Sequence, residues 1–210
     1  MGQVVLITGG TSGIGLSLAE AFLAEGASVA VCGRSQTALD RFSRAHPEAL
    51  AVQADVTVPE ARATLLDAIT ERFGRLDVLI NNAGTFVARD FAGDAATVAL
   101  DALDALDQEI DLNLTAPIHL TGEALRRWPA LSAIVFVTSG FPLVSPTLAP
   151  TYGASRRAAK ASPTGCAASS ALPQHIHPDL RPARHPRARG HRVLREQRDR
   201  LDPEVAHRHV

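Results

Sequence analysis

The 210-residue chain carries 21 basic and 22 acidic side chains and is 46% hydrophobic, enough to bury the core of one α/β domain. The balanced charge argues against a polybasic nucleic-acid-binding protein, and two cysteines are too few for a disulfide framework or a tetrahedral zinc site. No apolar run reaches the ~18–20 residues of a membrane helix, and no basic region precedes the first apolar stretch, as it would in a signal peptide. We therefore expect a soluble, cytoplasmic protein without a membrane or metal site.

Strand and helix patterns alternate through the first 155 residues. Short apolar runs predict buried strands, and apolar residues at helical spacing predict the helices between them. This alternation is typical of a parallel sheet with right-handed crossovers, so we expect a Rossmann-like, doubly wound α/β fold. A sixth and a seventh strand are missing from the pattern or lie in a disordered C-terminal part. The predicted strands are Val4–Thr8, Ser28–Cys32, Ala49–Gln53, Val78–Ile80 and Ile134–Val137.

Individual residues indicate where the predicted helices begin. Ile14 begins the apolar face of the first helix. Ser35 is the expected N-cap of the second helix and Thr57 that of the third, which has a proline in its first turn. A long helical region over roughly residues 95–127 precedes the fifth strand.

The first strand and the first helix are joined by a glycine-rich turn, Thr8-Gly9-Gly10-Thr11-Ser12-Gly13-Ile14-Gly15. Glycine allows a sharp turn at Gly9, close approach of a diphosphate at Gly13, and packing of helix on strand at Gly15. The helix N-terminus offers free N–H groups and a positive dipole end to phosphates. In this context the turn predicts a dinucleotide site, the alternative being an ordinary tight turn. The cofactor-binding residues expected in it are Gly9, Thr11, Ser12, Gly13, Ile14 and Gly15.

Arg34 follows the second strand, where no carboxylate is available to accept hydrogen bonds from a ribose 2′-hydroxyl. Its guanidinium can instead pair with a 2′-phosphate, which favours NADP over NAD. The alternative is an arginine that is merely solvated at a strand end. We expect NADP as the cofactor.

Further motifs follow in chain order. Asp55-Val56 comes after the third strand, Asn81-Asn82-Ala83-Gly84 after the fourth, Asn113 within the long helical region, Ser139 after the fifth strand, and Tyr152 thirteen residues later. With the glycine-rich turn, these motifs make residues 3–155 similar to the short-chain dehydrogenase/reductase family.

The resemblance implies an oxidoreductase that transfers hydride between NADP(H) and a small-molecule carbonyl or secondary alcohol. Tyr152 would be the general acid/base, Ser139 would polarise the substrate oxygen, and Asn113 would hold a water in a proton relay. Asp55 and Asn81 would border the adenine and its ribose. Taken singly, Ser139 and Asn113 could equally satisfy backbone groups at the end of an element. Beyond the glycine-rich turn, the expected cofactor-binding residues are Arg34, Asp55, Val56, Asn81, Ala83, Gly84 and Tyr152.

Position 156 departs from the family pattern. The resemblance implies a lysine four residues after Tyr152, where its charge would favour the phenolate and its ammonium would hold the nicotinamide ribose. The chain has Arg156 there, which supplies the charge without the geometry of an ammonium, and Lys160 lies two helical turns from Tyr152. We therefore expect severely reduced turnover, and the alternative function is a catalytically impaired fragment that binds nucleotide.

Composition changes at the same point. Residues 1–155 carry a net charge of −8, whereas residues 156–210 carry +7, with eleven arginines and no aromatic residue. We expect a nucleotide-binding domain over 1–155 and a mostly disordered basic tail over 156–210, with homo-oligomers only if the C-terminal part were intact. A natural basic arm, a degenerate C-terminus and a shifted reading frame are three explanations of the tail. A nucleic-acid-binding arm is disfavoured because aromatic residues are absent.

The shifted reading frame explains the departure at Arg156 and the change in composition together. Deleting one G from GCG GTC AAG GCG GGC, which encodes Ala-Val-Lys-Ala-Gly, leaves GCG TCA AGG CGG GC. That string encodes Ala-Ser-Arg-Arg-Ala, the sequence found at 154–158. Codon degeneracy also permits an amphipathic helix in the other frame beyond this point. Our hypothesis is that the tail is out of frame.

Overall fold

The computed structural model describes residues 2–87, 100–139 and 150–161, which form a parallel sheet flanked by helices. The strands are β1 (Val4–Thr8), β2 (Ser28–Gly33), β3 (Leu50–Gln53), β4 (Val78–Asn81) and β5 (Ala133–Phe136). The helices are α1 (Gly13–Ala24), α2 (Gln36–Ala45), α3 (Pro59–Phe73), α4 (Leu100–Ile110), α5 (Ala116–Arg127) and α6 (Pro150–Ala161), with a π-helical turn (Asp111–Thr115) between α4 and α5. The predicted Rossmann-like α/β fold is confirmed.

The order of the strands creates a crevice at one edge of the sheet. Neighbours run β3-β2-β1-β4-β5, and every pair is parallel. The order reverses between β1 and β4, where Ile7 lies opposite Ile80. The connections that leave the carboxyl ends of these two strands therefore diverge, and open sheets of this kind bind ligands at that point.

Burial accounts for the continuous apolar sequence of the central strands. All five residues of β1 and all four of β4 are buried, as expected for strands covered on both faces. On one face α3 and α5 pack against the sheet, and Leu65, Ile69, Leu120 and Trp128 share a cluster with Leu79 of β4. The core thus fixes β1 and β4, whose carboxyl ends bound the crevice.

One predicted helix start is confirmed, and two other details are wrong. Ser35 is the N-cap of α2, and its Oγ accepts a hydrogen bond from the Ala38 N–H at 3.3 Å. The N-cap of α3 is Val58 and not Thr57, because the Thr57 hydroxyl is engaged elsewhere. Ile14, expected on the buried face of α1, is 54% exposed because it lies on the side of the helix that borders the crevice.

The long helical region is confirmed as helical, but it is not a regular α-helix. The π-helical turn separates α4 from α5, and its wider hydrogen-bond ring admits an extra residue into the helix. Asn113 lies in this turn and is fully buried. Residues 95–99 of the predicted region lie outside the described residues.

Helix α6 extends across the predicted domain boundary. It spans Pro150–Ala161, so residues 156–161, assigned from the sequence to a mostly disordered tail, continue a helix that begins before them. The rest of the tail, 162–210, lies outside the described residues, and so does any sixth or seventh strand that it could supply. Across the ranges that the structure describes, no helix is long and apolar enough to cross a bilayer.

Candidate active site

A cleft of about 640 Å³ occupies the crevice at the carboxyl ends of the strands. Its walls come from the glycine-rich turn, the ends of β2 and β3, the loop after β4, and the π-helical turn. The expected cofactor-binding residues that line it are Gly9, Thr11, Ser12, Ile14, Arg34, Asp55, Val56, Ala83 and Gly84. The structure therefore brings together, around one cavity, motifs that are separated by as much as a third of the chain.

The glycine-rich turn has the geometry that a phosphate ligand needs. Gly9 has φ +65° and Gly13 has φ +53°, and a Cβ at Gly13 would meet no atom within 4 Å, so space stands open above the turn. Gly15 faces inward, where a Cβ would overlap the carbonyl oxygen of Gly9. Helix α1 begins at Gly13, and the Ser12 side chain does not cap it. The N–H groups of its first turn are therefore suited to bind a diphosphate.

Hydrogen bonds fasten the two sides of the cleft floor to each other. Thr8 Oγ1 accepts from the N–H groups of Asn82 and Ala83 at 3.0 and 2.9 Å, and it donates to the Ile80 carbonyl oxygen at 3.5 Å. The Asn82 amide donates to the carbonyl oxygens of Thr8 and Gly9 at 2.9 and 3.3 Å. The end of β1 and the loop after β4 thus form one connected surface. We name these contacts the β1–β4 tie.

The two asparagines at the end of β4, Asn81 and Asn82, have different positions. Asn81, expected beside the adenosine, is 3% exposed, lies outside the cleft lining, and donates to Thr121 Oγ1 of α5 at 3.2 Å. Its Oδ1 is buried and has no hydrogen-bond partner within the described ranges. Asn82, which sequence reasoning did not select, lines the cleft. Because side chains alternate along a strand, the end of β4 turns one amide to the core and the next to the cleft.

Buried ionic contacts support the loop after β3. Asp55 Oδ1 accepts from the N–H and the hydroxyl of Thr57 at 3.0 and 2.7 Å. Arg62 of α3 is 4% exposed and donates to the Val56 carbonyl oxygen at 2.9 Å, while its other nitrogens hold Glu123 of α5 in a forked ion pair. The backbone of the loop is therefore fixed from beneath by an arginine that sequence analysis did not single out.

Arg34 lies at the rim of the cleft. It is exposed, follows β2, and its carbonyl oxygen accepts from Gln53 Nε2 at 3.0 Å. A smaller cavity of about 290 Å³ lies alongside and shares Arg34, Asp55 and Leu112 with the main cleft. The guanidinium can thus reach an anionic group bound at either cavity.

Cys32 also lines the cleft but is not a reactive thiol. Its residue is 1% exposed, and burial raises the pKa of the thiol to about 12, only partly offset by the hydrogen bond with the Gly9 backbone. Desolvation disfavours the thiolate, so the side chain is neutral at physiological pH. Cys32 therefore contributes packing to the cleft wall.

Asn113 lies beneath the loop after β4. Its Oδ1 accepts from the Thr85 N–H, and its Nδ2 donates to the Thr85 carbonyl oxygen, both at 2.9 Å. The same Nδ2 lies 3.5 Å from Ser155 Oγ of α6. The side chain therefore joins the π-helical turn to the loop after β4 and to the helix that carries Tyr152.

Tyr152 is half-buried on α6 between an aromatic ring and a cation. Its ring meets that of Phe86 edge-on, with centroids 5.2 Å apart, and the Arg156 Cζ lies 5.6 Å from its centroid. Arg156 is 8% exposed and donates from Nη1 to the Val137 carbonyl oxygen at 3.0 Å. Ser139, half-buried, lies two residues beyond Val137. Phe86 is 51% exposed, and no sequence signal selects it.

A buried carboxylate holds the start of α6. Glu109 of α4 is 0% exposed, accepts from the Val87 N–H at 2.9 Å and from the Thr151 hydroxyl at 2.6 Å. It therefore links α4, the loop after β4 and the residue next to Tyr152. In the described ranges, no group of three or more His, Cys, Asp or Glu side chains is arranged to hold a metal ion.

A family model described as short chain dehydrogenase matches residues 3–175. The chain belongs to the short-chain dehydrogenase family. Members of this family are oxidoreductases that use a nicotinamide cofactor. The match continues past residue 155, where sequence analysis ended the resemblance, so the family segment includes the whole of α6.

Individual relatives agree with the family match. The oxidoreductase DltE of Bacillus subtilis is 36% identical over 159 residues, 74% of this chain and 61% of that protein. A crystal structure of a Streptomyces avermitilis short-chain dehydrogenase is similar with a TM-score of 0.67 at 29% identity, over 77% of this chain and 58% of the other. A Caenorhabditis elegans short-chain dehydrogenase/reductase, crystallised with cofactor, is similar with a TM-score of 0.66 at 27% identity, over 76% of this chain and 61% of the other. The chain thus spans about three fifths of the length of these relatives.

Proposed function

We propose that this protein is an NADP-dependent oxidoreductase that transfers hydride between the cofactor and a small-molecule carbonyl or secondary alcohol. The observation that carries the proposal is the cleft, which joins an uncapped helix N-terminus and an exposed arginine at the point where the strand order reverses. That combination suits a dinucleotide carrying an extra phosphate. When bound, the nicotinamide would supply the site for hydride.

The cofactor-binding role falls to groups that line or support the cleft. The first-turn N–H groups of α1 would hold the diphosphate, and Arg34 would pair with the 2′-phosphate. Asp55 and Val56 would border the adenosine from a loop that Arg62 fixes from below.

Tyr152 is the proposed proton donor and acceptor at the substrate oxygen. Arg156 places a cation against the ring, and Ser139 would hydrogen-bond the same substrate oxygen. Asn113 would hold a water that carries the proton onward, from its position beneath the loop after β4. The phenol is the one group whose loss stops the proton transfer.

The test uses the Arg156→Lys variant, which restores the lysine of the family, because the turnover of the present chain is expected to be severely reduced. Oxidation of NADPH is followed with a set of small ketones and aldehydes. We expect Arg156→Lys to raise kcat at least about tenfold and Tyr152→Phe in the same background to abolish that gain. The Tyr152→Phe variant should still bind NADPH, which shows that the cleft is intact. Full activity of the phenylalanine variant would refute the assignment of Tyr152.

The cellular setting follows from the same proposal. A nicotinamide-dependent reaction on small molecules, in a chain with only two cysteines, suits a reducing compartment, and we propose the cytoplasm. We propose no nucleic-acid partner, because the whole chain has a net charge of −1. Homo-oligomers remain part of the proposal for a chain with an intact C-terminal part.

A further inference from the structure

An exposed aromatic ring lies against the proposed acid/base. Phe86, in the loop after β4, is 51% exposed, and its ring meets the Tyr152 ring edge-on, with the centroids 5.2 Å apart and the planes at 77°. A single exposed apolar side chain is common on protein surfaces, but this one contacts the group that would move the proton. The ring has no part in the proton transfer itself, so its position suggests a role in binding the substrate.

Buried polar side chains hold the backbone on both sides of Phe86. Asn113 accepts from the Thr85 N–H and donates to the Thr85 carbonyl oxygen, both at 2.9 Å. Glu109 accepts from the Val87 N–H at 2.9 Å. Both side chains that make these contacts are fully buried. An apolar side chain on a fixed backbone loses little conformational freedom when a ligand packs against it, so the contact is available for binding.

The same two buried side chains hold α6 beside the ring. Glu109 accepts from the Thr151 hydroxyl at 2.6 Å, and Asn113 Nδ2 lies 3.5 Å from Ser155 Oγ. The Ser155 hydroxyl donates in turn to the Tyr152 carbonyl oxygen at 3.2 Å. The exposed ring and the phenol are therefore attached to one frame, and we expect the pair to be formed before a substrate binds.

Phe86 lies where the cofactor cleft and the phenol approach each other. Gly84, two residues before it, lines the cleft, whereas Tyr152 lies outside that lining. Hydride transfer requires the substrate to lie between the cleft and the phenol, with its oxygen within about 3 Å of the phenol hydroxyl. The substituents on the carbonyl carbon then lie within reach of the ring that packs on that phenol. In the described part of the loop after β4, Phe86 is the exposed large apolar side chain at this place.

We propose that Phe86 is a specificity-determining residue that selects carbonyl compounds and secondary alcohols with an aromatic or other flat, apolar substituent on the reacting carbon. The inference rests on the proposed function, since it assumes the same cofactor and the same phenol. The Phe86 ring packs against the substituent, because aromatic rings attract each other and bury apolar surface together. A small or polar substituent gains little from this contact. Phe86 therefore acts in substrate binding and leaves the proton transfer to Tyr152.

The experiment measures binding, so its result does not depend on turnover. The full chain is saturated with NADP+, which cannot reduce a ketone, and para-fluoroacetophenone is titrated and followed by its fluorine NMR signal. We expect Phe86→Ala to weaken the binding of this ketone at least about fivefold, since an aromatic contact and its apolar area are lost. The Kd of NADP+ should stay within about twofold, because Phe86 does not line the cofactor cleft.

Two variants and a second ketone serve as controls. Phe86→Leu keeps an apolar side chain without the ring, and its affinity should lie between those of the unaltered protein and Phe86→Ala. Ile118→Ala removes a similarly exposed apolar side chain from α5 and should leave both Kd values unchanged. Fluoroacetone, which has no ring, should bind the unaltered protein and Phe86→Ala with the same affinity.

The outcomes separate the inference from the proposed function. Equal affinity of Phe86→Ala and the unaltered protein for para-fluoroacetophenone would overturn the inference, and so would the absence of binding of that ketone to the NADP+ complex. Either result leaves the proposed function standing, because NADP+ still binds. A parallel weakening of NADP+ in Phe86→Ala would show that the ring supports the fold and does not select the substrate. Absence of NADP+ binding by every variant would refute the proposed function, and the inference with it.

Discussion

Arg34 shows how one exposed side chain can set the preference between two cofactors. It lies on the cleft rim directly after β2, where the ribose of a bound dinucleotide is expected, and its backbone is anchored by Gln53. A guanidinium binds a phosphate through parallel, charge-assisted hydrogen bonds, but it has no acceptor for a ribose hydroxyl. We therefore expect the preference for NADP over NAD to depend on the side chain of Arg34.

Arg34→Glu should reverse the preference. Loss of the paired guanidinium and repulsion by a carboxylate should weaken NADPH at least about tenfold, whereas NADH should bind as well or better because the carboxylate accepts its ribose hydroxyls. Fluorescence titration with both cofactors measures the change. Arg41→Glu on the exposed side of α2 is the control and should affect neither. Equal weakening of NADPH and NADH would show that Arg34 supports the cleft and does not read the phosphate.

Cys32 should lower the free energy of unfolding at alkaline pH. The thiol has a pKa of about 12 when folded, against an ordinary value near 9 when unfolded, so above pH 9 the unfolded chain loses a proton that the folded chain retains. Its contribution is complete below pH 9 and declines as the pH rises towards 12. We expect the free energy of unfolding to fall by about 2 kcal/mol more between pH 8 and pH 10.5 than in Cys32→Ala. Urea denaturation at the two pH values measures this, and parallel decline of both proteins would contradict it.

At the scale of elements, the position of α6 depends on buried polar side chains. Glu109 connects α4 to the Val87 N–H and to the Thr151 hydroxyl, and Thr151 precedes Tyr152. Asn113 provides a second connection, from the π-helical turn to Ser155. The helix that carries the phenol is thus held by polar side chains from one neighbouring helical region, which determines where Tyr152 can lie.

Removing the Glu109 carboxylate should destabilise this arrangement in proportion to the hydrogen bonds lost. Glu109→Leu leaves a buried N–H and a hydroxyl without their acceptor, and we expect a loss of about 3 kcal/mol in the free energy of unfolding. Glu109→Gln has similar volume, can accept from Val87 and can donate to Thr151, so it should cost less than about 1 kcal/mol. Urea denaturation distinguishes the two, and equal losses would show that the negative charge matters more than the hydrogen bonds.

Elements with strong local signals could be predicted from the sequence, whereas their detailed orientation could not. The apolar runs of β1 and β4 and the Ser35 cap depend on neighbouring residues alone. The choice between Asn81 and Asn82 depends on which face of the strand end looks into the cleft. The contacts of Glu109 likewise come from tertiary packing, which no periodicity in the chain reveals.

At the scale of the whole molecule, the family segment and the charge distribution do not share a boundary. The family match runs to residue 175, and α6 continues to Ala161, whereas the excess of arginine begins at Arg156. Helix α6 carries the family residue Tyr152 and changes its composition one turn later, which fits our proposal of a shifted reading frame. Arg156 is the third of the five residues 154–158 that the deletion explains.

Sequencing the gene across codons 150–160 tests this proposal directly. We expect one added G to restore a frame that encodes lysine at position 156 and continues into an amphipathic helix. A stop codon in that frame, or codons without the lysine, would contradict the shift and leave the basic tail as a natural feature. The protein with the restored frame should then oxidise NADPH at least as fast as Arg156→Lys does.

The β1–β4 tie has a consequence for how ligand preference can change in such a protein. Thr8 and Asn82 already join the two sides of the cleft floor, so the floor is formed before a nucleotide binds. The conformational entropy lost on binding therefore comes from the ligand and from side chains at the rim of the cleft. The rim residue Arg34 lies outside that tie. Substitutions at this position can therefore alter which molecule is held without rebuilding the scaffold beneath it.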